Sequence, residues 1–136
     1  DMDAVKMKFE SLEEQEQDAD SVYQYYKKAI RVRNQNPEIA RGTVEYLAPG
    51  ESGVLIESDN ADSVCVLKKT YEGSELLLVF VTDAQGAVLD LSGVTLCADP
   101  VGEQTQVRAR LTTGEEEINW DNGRAEMPGF SVLVLK

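Results

Sequence analysis

An antiparallel β-sandwich of the Greek-key type, entered through one amphipathic α-helix, is the fold class that this sequence predicts. Three observations carry it. A helical apolar period is confined to one early segment, and from Gly42 onward the apolar residues alternate or fall in runs of strand length. The segments between those runs are dominated by glycine, proline and short polar residues, which tolerate tight turns.

The helix comes first. Val22, Tyr25, Tyr26, Ala29 and Ile30 follow the spacing i, i+3, i+4, i+7, i+8, which places all five on one helical stripe. Asp18 or Asp20 can cap its start, because a carboxylate accepts from free backbone N–H groups and faces the positive end of the helix dipole. Lys27, Lys28, Arg31 and Arg33 suit the opposite pole. Pro37 disfavours helical geometry at Asn36, so the helix is expected to stop near Gln35 and to occupy residues 18–36. Residues 1–17, acidic and without clean periodicity, read as an irregular lead-in with Met7 and Phe9 as anchors.

The sandwich is expected over 42–136. Its strands are predicted at Thr43–Leu47, Val54–Glu57, Ser63–Tyr71, Glu75–Thr82, Ala87–Leu91, Val94–Ala98, Gln106–Leu111, Glu116–Trp120, Arg124–Met127 and Phe130–Leu135. "TYEGSELLLVFV" gives the clearest hairpin, with Glu72-Gly73 at its turn. Cys65 and Cys97 both fall within apolar strand-like runs, where a thiol behaves as a small buried hydrophobe. Two cysteines fix no redox compartment, and a disulfide between them requires neighbouring strands.

Composition narrows the function. A chain of 136 residues with 42% apolar and 28% charged side chains is long enough to bury roughly two thirds of its unfolded surface. No apolar run approaches the roughly 20 residues that span a bilayer. The formal charge of −12 is uneven: residues 1–20 contribute −6, residues 21–41 contribute +4 and residues 42–136 contribute −10. A field of that sign repels phosphate backbones and anionic headgroups, which argues against nucleic acid and membrane surfaces as partners. There is no histidine, so the commonest general base, the commonest metal ligand and every Ser-His or Cys-His pairing are missing.

The chemistry-bearing motifs that remain are weak. "EEE" at 115–117 and "ESDNAD" at 57–62 offer hard oxygen ligands of the kind calcium takes, but without the spacing of a binding loop; solvated turn charges are the ordinary reading. Trp120 in "INWDNG", with Tyr46 and Tyr71, can form a stacking platform for a sugar ring, though a lone tryptophan on a strand more commonly fills a core or an interface. Neither GxGxxG nor a phosphate-loop spacing occurs. No catalytic, cofactor or metal residue is assigned.

The segment "EEQEQDADSVYQYYKKAIRVRNQNPEIARG" resembles the junction between the last barrel helix and the C-terminal domain of α-amylase family glycoside hydrolases, including α-glucosidases, oligo-1,6-glucosidases and neopullulanases. Gln15, Asp18, Ser21, Tyr25-Tyr26, Val32-Arg33, Pro37 and Gly42 sit where that family shows its Gln, its helix opening, its aromatic pair, its "lR", its Pro and its Gly. Ala19 replaces the usual proline, and Val81-Thr82-Asp83 lacks the usual asparagine. "VLKKTYEGSELLLVF" and "MPGFSVLVLK" resemble the family's C-terminal β domain more loosely.

The resemblance implies that the helix closes a parent catalytic barrel, absent here, and that the sandwich packs on it. The parent is then a retaining α-glycoside hydrolase acting on starch-type saccharides, with its nucleophilic Asp and acid/base Glu upstream of Asp1. The chain itself is expected to be inactive, to take no cofactor, and to begin at an internal cut. Two alternatives remain: a carbohydrate-binding or adhesion module that holds α-glucan, and a domain that self-associates through the helix face.

Overall fold

The computed structural model describes residues 22–136, with the backbone alone for residues 22–26. Helix α1 spans Val22–Gln35, and the expected caps at Asp18 and Asp20 lie outside the described residues. A short helix, α2, follows at Pro37–Arg41. This second helix is not among the elements that the sequence predicts, where Pro37 serves only as a stop. Proline is equally suited to the first position of a helix, where its missing N–H has no partner to lose. Asn36 takes the extended geometry demanded before proline (φ −128°, ψ 91°), and its side-chain amide donates to the Val32 carbonyl at 2.9 Å. The chain thus turns a corner at Asn36 and resumes as helix.

The strands are β1 Thr43–Tyr46, β2 Leu55–Ile56, β3 Val64–Tyr71, β4 Ser74–Val81, β5 Ala87–Asp90, β6 Thr95–Leu96, β7 Asp99–Pro100, β8 Val107–Leu111, β9 Asn119–Asp121, β10 Arg124–Met127 and β11 Ser131–Leu135. They form a five-stranded antiparallel sheet in the order β1-β3-β4-β11-β8, a four-stranded one in the order β2-β5-β10-β9, and the hairpin β6-β7. The fold is the predicted sandwich with one long helix ahead of it.

The core lies between the two main sheets. Val66, Leu77, Val79 and Leu133 meet Leu89, Ala125 and Met127 across it, all 4% exposed or less. Alternation along each strand makes these the inward positions and sends their neighbours outward. β4 is the exception in composition: Leu76 to Val79 are buried without interruption, so this strand is covered on both faces.

Most of the predicted strands lie within two residues of their observed ends, but two differ in substance. The run Val94–Ala98 is broken by a hairpin turn: Cys97 and Ala98 both adopt left-handed backbone (φ 51° and 70°), and β7 returns through Asp99–Pro100. Cys97 is therefore exposed rather than buried in a strand. The strand expected at Glu116–Trp120 starts only at Asn119, because Glu115, Glu116 and Glu117 are exposed in the preceding loop. Both cysteines are free thiols. Cys65, half-buried on β3, has its ionisation pushed up by burial.

Candidate functional site

Two surface features stand out once the core is set aside. The first is the outer face of the five-stranded sheet. Register aligns Tyr46, Leu67, Leu78, Val134 and Ala109 in one row across all five strands, and Cys65, Phe80 and Val132 in another. All of these point away from the sandwich core, so the sheet is largely apolar on both faces, with Lys69 between Val44 and Leu76 as the exception. Leu76, Leu78 and Val134 are buried there under Val32 of α1 and Ile39 of α2. These two side chains hold the helices down; Ile30, placed by the helical stripe on the apolar face, is 60% exposed. At the β1 edge the same face ends in Val44 and Tyr46, 60% and 57% exposed.

A buried ion pair ties the helices to the sheet. Glu38 of α2 is 2% exposed, and its Oε1 accepts from the Lys136 ammonium at 2.6 Å and from the Ser74 hydroxyl at 2.8 Å. Its Oε2 is buried without a partner in the protein. Burial pushes the Glu38 carboxyl up, and the bonds from Lys136, its own backbone and Ser74 outweigh that and hold it below its ordinary range. Gly42 closes α2 by donating to the Glu38 carbonyl at 3.0 Å. A Cβ there would sit 2.5 Å from that oxygen and 2.7 Å from the Thr70 oxygen, so only glycine permits this approach of helix to sheet.

The second feature is an open groove of about 650 Å³ where the two sheets part between β8 and β9, their facing edge strands. Arg110 pairs with Leu133 and Trp120 with Ala125, both core residues, so Arg110 and Trp120 occupy inward positions on their strands. Trp120 is half-buried: it packs on the core and also lines the groove. Asn119, Asp121, Thr112 and Glu117 complete the wall.

The other sequence candidates disperse. Tyr46 lies on β1, at the far edge of the five-stranded sheet from β8, and Tyr71 ends β3, so neither joins Trp120 in a platform. Within the 57–62 stretch, Glu57 pairs with Arg124 at 3.0 Å, and the Asn60 amide donates to Asp83 at 2.7 Å and to the Gly86 carbonyl at 2.6 Å. Asp83 in turn accepts from the backbone of Gln85 and Gly86; the Asn60 bond foremost holds its carboxyl below the usual range. These are loop-fixing networks. Among the described residues, no three cysteine or acidic side chains converge on a point that could hold a metal. A groove-lining side chain that sequence reasoning missed is Arg110, whose alternation with Leu111 in "VRARL" marked it only as one of the two faces of an edge strand.

Solved structures share this architecture. Amy13B from Eubacterium rectale superposes with a TM-score of 0.73 and 29% identity over 93% of this chain, which is 22% of that protein. The sequence resemblance to the α-amylase family therefore extends to three dimensions. An alpha-amylase from H. orenii matches with a TM-score of 0.64 and 19% identity over 92% of this chain. Isomaltulose synthase from Klebsiella sp. LX3 matches with a TM-score of 0.64 and 20% identity over 91%. At such identities the last two carry the fold alone. The chain spans 22%, 22% and 19% of the lengths of these three proteins. Neither a family model nor a curated protein matches it.

Proposed function

We propose that this chain is the non-catalytic C-terminal region of an α-glucan-degrading glycoside hydrolase, a sandwich that stabilises a catalytic barrel by packing against it. The parent enzyme hydrolyses α-glucosidic bonds of starch-type oligo- or polysaccharides. One observation carries this reading: the five-stranded sheet is largely apolar on its outer face, yet α1 and α2 cover only part of it and leave Ile30, Val44 and Tyr46 in solvent. A largely apolar face left partly bare in this way calls for a further layer. The likeness to Amy13B, of which this chain matches about a fifth, supplies a candidate for that layer in the remainder of such an enzyme.

The reaction itself needs two carboxyls roughly 5 Å apart in a cleft, one of them with a raised pKa. The carboxyls of Glu38, Asp83 and Asp90 are all held below their ordinary range, toward the ionised form, so none of these three is poised to donate a proton at neutral pH.

The test uses the isolated chain and the full-length parent. The pure chain is expected to give no turnover of starch or of p-nitrophenyl α-glucoside. In the parent, Val44→Asp with Tyr46→Asp is expected to lower the melting temperature of the catalytic activity by several degrees while leaving kcat at 25 °C within about twofold. Turnover by the isolated chain, or a doubly substituted parent as heat-resistant as the unsubstituted one, counts against the proposal.

A further inference from the structure

The groove between β8 and β9 has a chemistry that scaffolding does not require. Positions facing the interior of a sandwich are ordinarily apolar, as Leu89, Ala125 and Leu133 are here. At the open edge the two inward positions that line the groove are an arginine and the only tryptophan of the chain. Arg110 is exposed, so its guanidinium reaches the groove instead of the core, while Trp120 keeps part of its ring outside the packed interior.

We propose that this groove binds a neutral oligosaccharide, with one pyranose ring laid against Trp120 and its hydroxyls bonded by Arg110 and by Thr112 and Glu117 of the flanking loop. The lining selects among ligand classes. An anion meets Glu117 beside the single lining cation Arg110, within a chain of net charge −12. A wholly apolar ligand would strip water from Arg110 and Glu117 and offer them no bonds in return. A sugar ring supplies both requirements: an apolar C–H face for the indole, and paired hydroxyls that planar guanidinium and carboxylate groups bind two at a time. A volume of about 650 Å³ also lies within the roughly 300–1,000 Å³ of small-molecule sites. The site is distinct from the apolar outer face, so it stands whether or not that face packs on a barrel.

Because Trp120 is the only tryptophan, its fluorescence reports the site directly. The 136-residue chain is titrated with maltoheptaose and, separately, with cellohexaose, and each titration is repeated by calorimetry. A saturable fluorescence change with at least one of them is expected. Arg110→Gln and Glu117→Gln, both at exposed positions, are each expected to weaken binding about fivefold or more with an unchanged circular dichroism spectrum. Trp120→Phe retains an aromatic ring on the core and is expected to bind more weakly than the unsubstituted chain, by calorimetry. Absence of saturable binding to both sugars overturns the proposal, as does binding that Arg110→Gln leaves intact while the variant self-associates, since Arg110 then only guards a sheet edge. Binding of cellohexaose alone supports the groove and counts instead against an α-glucan-degrading parent.

Discussion

The two outward-facing surfaces of the sandwich are built to opposite rules. On the four-stranded sheet, Arg124, Glu126, Asp90, Asn119 and Asp121 face water, interrupted by Val88 and Leu55, and Arg124 pairs with Glu57 and Glu126 at 3.0 and 2.6 Å. On the five-stranded sheet the equivalent surface is Leu67, Leu76, Leu78, Phe80, Val132 and Val134, partly roofed by Val32 and Ile39. A sheet with one charged face ends the molecule. A sheet largely apolar on both faces is a middle layer, and the helices supply only part of its cover.

The comparison breaks most readily along β4, whose adjacent residues serve different layers. Leu77 faces the sandwich core and is fully buried; Leu78 faces the helices and is 7% exposed. Leu77→Ala is expected to cost about 3–4 kcal/mol, and Leu78→Ala about 2, because the thinner roof over Leu78 can settle into the space left behind. Urea unfolding of the two variants measures the difference. A Leu78→Ala cost below about 0.5 kcal/mol would mean that α1 and α2 do not form a true third layer.

Next in size comes the fastening of that layer. Glu38→Gln is expected to destabilise the chain by about 2 kcal/mol at pH 7, because Lys136 keeps its charge but loses its buried partner. The pH dependence follows from the direction of the shift. A carboxyl whose folded pKa lies below its ordinary 4.5 adds stability at any pH above that value, and loses it as pH falls through the folded value. Melting curves of chain and variant should therefore differ by a constant amount above pH 5 and converge as the pH drops below 4.5. A gap that persists at low pH would assign the effect to packing and not to charge.

How much of this contrast the residues announced differs between the layers. Alternation made the strands legible, and "EG" and "DNG" marked hairpin turns at Glu72-Gly73 and Asn122-Gly123, each in left-handed geometry. The turn at Cys97-Ala98 was hidden because neither residue advertises the same backbone. α2 was hidden behind Pro37, which is as compatible with the start of a helix as with an end. The stripe through Ile30 was plain in sequence, but what it covers is a tertiary matter, and here Val32 and Ile39 make the contact with the sheet. The edge groove was half legible: Trp120 drew notice alone, and only the pairing of each edge strand with the core places Arg110 in the same groove.

The smallest effects should come from the two surfaces themselves. Arg124→Ala removes two ion pairs whose side chains are 39–50% exposed, and such pairs contribute about 0–1 kcal/mol each. Tyr46→Ser removes an aromatic that is 57% exposed and is expected to change stability by less than about 0.5 kcal/mol in this chain alone. Their similarity in the isolated chain is what makes the pair informative. If the outer face of the five-stranded sheet is a middle layer, joining the chain to a catalytic barrel should raise the cost of Tyr46→Ser severalfold, since the ring would then be buried, and leave that of Arg124→Ala unchanged. Equal costs in both settings, measured by thermal unfolding, would place the missing layer elsewhere or nowhere.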